Sequence, residues 1–123
     1  MPVESLIQSE RSIVRTALTG TVTISELLEF CGRIAADPQF KPHFSHLVEV
    51  AEGATRNLAY DTLAAVRSVD PFSASSRRAI VVACDVDYGI SRMYASLCEG
   101  EDVQIFRSMD DAITYLGLPN AKP

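Results

Sequence analysis

Arg78-Ala-Ile-Val-Val-Ala-Cys84 is the stretch that decides the fold. It is apolar without alternation, and a strand with the same character on both faces is covered on both, as inner strands of parallel sheets are. This places Arg78–Cys84 at the centre of the expected sheet. A helix follows it directly over about Val86–Glu99, where Ile90, Met93, Tyr94, Leu97 and Cys98 recur at helical spacing, with Asp85 or Asp87 as N-cap.

The same strand-then-helix grammar extends both ways. Upstream, His46–Ala51 reads as a strand, Glu52-Gly-Ala-Thr-Arg-Asn57 as a loop, and Ala59 to about Asp70 as a helix stopped by Pro71. Before these, Thr23-Ile-Ser-Glu26 fits a capping box. Ile24, Leu27, Leu28, Cys31, Ile34 and Ala35 then form one helical stripe that Asp37-Pro38 ends. Val3–Ile7 and Ser12–Leu18 contain β-branched residues and are joined by polar Gln8-Ser-Glu-Arg11, a hairpin signal. Downstream, Asp102–Arg107 is a strand, Ser108-Met-Asp-Asp111 caps a last helix carrying Ala112, Ile113, Tyr115 and Leu116, and Gly117 then Pro119 end it. The order is ββαβαβαβα. It predicts a single α/β domain over 1–123, with a mixed, mostly parallel five-stranded sheet, right-handed crossovers and an antiparallel first strand at an edge.

Composition fits one soluble domain. The chain has 123 residues, 47% apolar and 22% charged, too few for two cores and too apolar for disorder. Eleven basic against sixteen acidic residues give a net charge of −5, the wrong sign for nucleic acid or an anionic membrane. Ala79–Cys84, the longest wholly apolar run, is far short of a membrane span, and the start lacks a basic segment, so a cytoplasmic location is expected. Cys31, Cys84 and Cys98 are odd in number and widely spaced, which favours reduced thiols, with Cys31 facing the core.

The chain resembles the SpoIIAA-like group of small bacterial proteins. The residues that carry the likeness are Ala35-Ala-Asp-Pro38, Arg77-Arg-Ala-Ile-Val-Val82, Asp87-Tyr-Gly-Ile-Ser-Arg-Met-Tyr94, Val103-Gln-Ile-Phe-Arg107 and Asp111-Ala-Ile-Thr-Tyr-Leu-Gly117. The resemblance implies a STAS-like fold, a sequentially ordered sheet flanked by helices, comparison with lipid-binding CRAL-TRIO domains, and no established catalytic activity. STAS-type antagonists place a phosphorylatable serine at the start of the helix after the third strand. Here that stretch is Leu58-Ala-Tyr-Asp-Thr62, so the serine switch is not carried over.

In such a sheet, ligands gather where the strands end and helices begin, here residues 20–23, 52–60, 84–92 and 107–111. The candidate contact residues are Thr55, Arg56, Asn57, Tyr60, Asp85, Tyr88 and Arg92. Tyr88 and Arg92 are one turn apart, suited to a carboxylate or phosphate head group, with Gly89 leaving room; alternatively Arg92 pairs with an acidic side chain. Asp85 and Asp87 have metal or acid–base chemistry as one reading and helix capping as the other. Cys84 at a helix N-terminus is a nucleophile candidate without a local histidine. His43-Phe-Ser-His46 reads as a solvated loop, since zinc needs three or four ligands. No metal and no cofactor are expected.

These residues point to a non-enzymatic binding or regulatory module that contacts a protein partner or small anionic ligand at the strand ends. One alternative is a carrier for a small amphipathic or lipid-like ligand, with Tyr60, Phe72, Tyr88 and Met93 lining an apolar pocket. The other is a small hydrolase or transferase using Cys84 or Asp85 and Asp87. Open sheet edges favour a homodimer, and Arg15, Glu49 and Gln104 imply that one sheet face is only partly covered.

Overall fold

A computed structural model describes residues 2–117, and Pro119 lies outside them. The elements are β1 (Val3–Gln8), β2 (Ile13–Leu18), α1 (Ile24–Ala36), β3 (Ser45–Val50), α2 (Tyr60–Ser68), β4 (Arg77–Val81), α3 (Asp85–Leu97), β5 (Asp102–Phe106) and α4 (Met109–Leu116). They form one five-stranded sheet in the order β1-β2-β3-β4-β5, antiparallel between β1 and β2 and parallel elsewhere. The α/β class and the ββαβαβαβα order are those the sequence predicts.

Local chemistry accounts for most boundaries. Thr23 and Glu26 make the reciprocal capping box at α1, and Ser108 accepts the Asp111 N–H at α4. Gly117 ends α4 in the left-handed conformation that favours glycine. The β1–β2 link contains a short 3₁₀ turn, Ser9–Arg11, and Ser12 at φ 55° reverses the chain, so β2 begins at Ile13.

Three expectations change. The central strand is β3, with β4 beside it, and β4 stops at Val81, three residues before Cys84. β3 alternates more than β4 because its last turn of sheet is bare on one side, leaving Glu49 exposed. The N-cap of α3 is Cys84, without a side-chain hydrogen bond, rather than Asp85 or Asp87. His46 is buried in β3 rather than solvated in a loop, whereas His43 is exposed.

The sheet separates two apolar layers. Helices α1 to α3 cover one face, packing Phe30, Cys31, Ile34 and Val66 against Val14, Leu18 and Val50. A constant crossover hand in a sequentially ordered sheet puts all three crossover helices on the same side. Helix α4 alone lies on the other face, where Ala112, Ile113 and Leu116 meet Ile13, Leu47, Ala79 and Val81. It packs mainly on β3, β4 and β5 and on Ile13 at the start of β2, so this face stays open over β1 and the rest of β2, and Leu6 is 58% exposed there. Arg15 and Glu49 border this open area, and Gln104 is exposed on β5 at the other side of the same face. No described helix is long and apolar enough to cross a membrane.

Candidate functional site

The sheet register fixes which side chains stand under α1–α3. Val14, His46, Arg78 and Val103 form one row across four strands, and Thr16, Val48, Ile80 and Ile105 form the next. Val48 and Ile80 sit on inner strands beneath helices, where apolar side chains are normally enclosed, yet both are only half-buried. The helix layer does not close over them. The space left is a cavity of about 120 Å³, bounded by these sheet residues, by Leu27, Phe30 and Cys31 of α1, by Leu63 and Val66 of α2, and by Ile90, Ser91 and Tyr94 of α3.

Its walls are mostly apolar, with Thr16, Thr55 and Ser91 as hydroxyls and a charged cluster at one end. There Arg78, only 4% exposed, donates from Nη1 to Asp70 at 2.7 Å and from Nη2 to Glu101, which Arg67 also holds. Asp70 accepts further bonds from Tyr94 Oη at 2.6 Å and from the Phe72 N–H at 2.9 Å. Arg78 Nε has no partner at all. Beside it, the His46 ring lies stacked between Phe30 and Phe72, centroids 5.8 and 4.4 Å away, and is hydrogen-bonded to Thr16 at 2.8 Å through Nε2. Burial pushes the imidazole down to about 3; Asp70 opposes this and Arg78 reinforces it. The ring is neutral at pH 7. Burial likewise pushes the Cys31 thiol up to about 12, with the Asp70 charge adding to the effect, so this wall of the cavity carries no thiolate.

At the opposite end, where strands finish, the structure gathers the residues nominated from sequence but divides their roles. Asp87 is fully buried and accepts from the Gly53 N–H (2.6 Å), the Thr55 N–H (3.1 Å), Thr55 Oγ1 (2.5 Å) and the Cys84 thiol (3.1 Å). Burial alone would raise its carboxyl pKa, but the bonds from Thr55, Cys84 and Gly53 outweigh burial and hold it below the usual range. Asp87 therefore ties the loop after β3 to α3, with Gly53 at a left-handed φ of 80° presenting its N–H. Thr55, buried on that carboxylate, also lines the cavity.

The other nominated residues stay outside. Asp85 is exposed and paired with Arg107 at 2.8 Å, so the two aspartates do not share a site. Tyr88 is half-buried with the Arg107 guanidinium 4.6 Å from its ring centroid, closer than Arg92 at 6.0 Å. Arg92 has no ion pair among the described residues, and Gly89 is exposed with no neighbour to approach. Arg56 bonds Thr21 at 2.9 Å, and Asn57 and Tyr60 face solvent. Of the four side chains expected to line an apolar pocket only Phe72 does; Tyr60 is 55% exposed, and Tyr88 and Met93 lie outside the lining. Among the described residues, no three His, Cys, Asp or Glu side chains converge to hold a metal.

Sequence reasoning passed over Arg78, Asp70, Tyr94 and His46. The available signal was the cation at the start of an apolar inner strand, because a buried charge requires partners. Fold and cavity together define an α/β protein with one mixed sheet and a partly open, largely apolar site between sheet and helices. No protein-family model, no curated protein and no solved structure matches the chain.

Proposed function

We propose that this chain is a non-enzymatic binding module that takes a small, largely apolar molecule into the space between the sheet and helices α1–α3. The observation that carries the proposal is the 120 Å³ cavity over half-buried Val48 and Ile80, of the order of the roughly 150 Å³ apolar cavities that bind benzene. Such space left empty forfeits packing contacts that a ligand supplies. The cytoplasmic, STAS-like and SpoIIAA-like readings belong to this proposal. Support for the fold comes from the sequential strand order with flanking helices, the arrangement that resemblance implies.

Native mass spectrometry of gently purified protein tests the reading, together with thermal unfolding in millimolar benzene. Retained small-molecule mass or a raised Tm is expected. A bare chain whose Tm does not respond to benzene overturns it. A second reading, contact with an anionic protein partner, is favoured by the exposed Arg92 and Arg107 guanidiniums flanking Tyr88 at the strand ends. Partner capture lost in Arg92→Ala with cavity binding intact would support that reading.

A further inference from the structure

We propose that the molecule held in the cavity is uncharged and carries one hydrogen-bond-accepting oxygen, such as a ketone, ester or amide carbonyl, seated at the Arg78 end of a ring-sized apolar body. This rests on the cavity reading above and names the chemical class of its ligand. The donors and acceptors at the charged end of the cavity are unevenly satisfied. Asp70 already accepts three bonds, from Arg78 and Tyr94 on Oδ2 and from the Phe72 N–H on Oδ1, and so has little accepting capacity left for a ligand. The single buried side-chain atom among the described residues without a partner is itself a donor, Arg78 Nε–H, and it belongs to a side chain that lines the cavity. What is missing is an acceptor.

The charges decide that the acceptor is neutral. Arg78 is met by Asp70 and Glu101, Glu101 is met again by Arg67, and these two cations and two anions cancel. His46 adds no charge. A carboxylate entering here would leave water for an apolar enclosure, face Asp70 and find no uncompensated cation. A carbonyl oxygen satisfies the Nε–H without altering that balance. An anionic group therefore does not suit this end of the cavity.

Three ligands of similar shape separate the possibilities at pH 7.5: acetophenone, ethylbenzene and benzoate, titrated into the isotopically labelled full chain and followed by NMR. Acetophenone is expected to bind about tenfold tighter than ethylbenzene, the gain for one completed buried hydrogen bond, and benzoate more weakly than either. The Arg78 Nε–H resonance should move with acetophenone and stay in place with ethylbenzene. Equal affinities for acetophenone and ethylbenzene, or benzoate binding as tightly as acetophenone, overturn the inference while leaving the cavity as a binding site. Binding of none of the three overturns the cavity reading and the inference together.

Discussion

His46 and Arg78 are register partners on adjacent parallel strands, side by side beneath the same helix layer, and the protein keeps one neutral and the other charged. The difference lies in their neighbours. Arg78 meets two carboxylates, whereas His46 is clamped between two phenyl rings with Thr16 as its hydrogen-bond partner. A protonated imidazole there would be cut off from water and stand next to the guanidinium. One end of the cavity is polar yet carries no net charge for this reason.

That arrangement makes stability depend on acid. The unfolded chain binds a proton at His46 below its ordinary pKa of 6.5, while the folded chain resists it down to about 3. Between these values the unfolded state holds the extra proton, so this contribution is full above 6.5 and is lost as pH falls towards 3. The slope from this group approaches about 1.4 kcal/mol per pH unit. His46→Phe keeps the ring stack and removes the titration. Urea unfolding at several pH values between 7.5 and 4 should show a steeper acid loss for the wild-type chain, and matching slopes would refute the assignment.

Asp87 should be among the most costly polar side chains to alter. In Asp87→Asn one oxygen becomes an NH₂ group facing N–H or hydroxyl donors, and the charge that strengthened the remaining bonds is gone. A loss of about 3 kcal/mol is expected. Hydrogen exchange locates the damage: the Gly53 and Thr55 amides should lose protection ahead of the β3 and β4 ladder. Unchanged exchange at those two amides would show that the carboxylate does not hold the loop.

Periodicity and punctuation made the architecture legible. The Thr23–Glu26 capping box, Asp37-Pro38, Gly117 and the apolar run after Arg78 each act locally, so the chain displays them. Pairings across the fold leave no such mark. Asp70, Arg78, Tyr94 and Glu101 come from the link after α2, β4, α3 and the turn before β5, and only packing brings them together. Asp87 looked like a helix cap because it follows a strand. Its partners lie more than thirty positions upstream, except for Cys84. A cavity is a property of what helices fail to fill: of the residues nominated for the strand ends only Thr55 lines it, and of those nominated for an apolar pocket only Phe72.

Arg92→Ala should leave stability nearly unchanged, by less than about 1 kcal/mol. Its side chain is exposed, and its closest described contact of note is a Tyr88 ring centroid at 6.0 Å, near the outer limit for a cation–π interaction. Asp85→Asn belongs with it, because the pair with Arg107 is solvated and surface ion pairs contribute little. Equilibrium urea unfolding of both variants checks this. A loss of several kcal/mol in either would mean that the side chain is a structural partner.

Val48→Ile tests the cavity by the sign of its effect. In a close-packed interior an added methylene forces neighbours apart and costs about 1–3 kcal/mol. Val48 instead is half-buried at the cavity wall, so the added group has space to enter and apolar atoms to meet. Burying it should stabilise the fold by about 0.8 kcal/mol. Isoleucine keeps the β-branch that suits a strand, so the backbone is not perturbed in the comparison. Val48→Phe carries the argument from stability to binding: its ring occupies the same space, and the Tm rise with benzene should disappear even where the variant itself is as stable as the wild-type chain. Destabilisation by Val48→Ile, or an undiminished benzene response in Val48→Phe, would place the bound molecule somewhere other than under the helix layer.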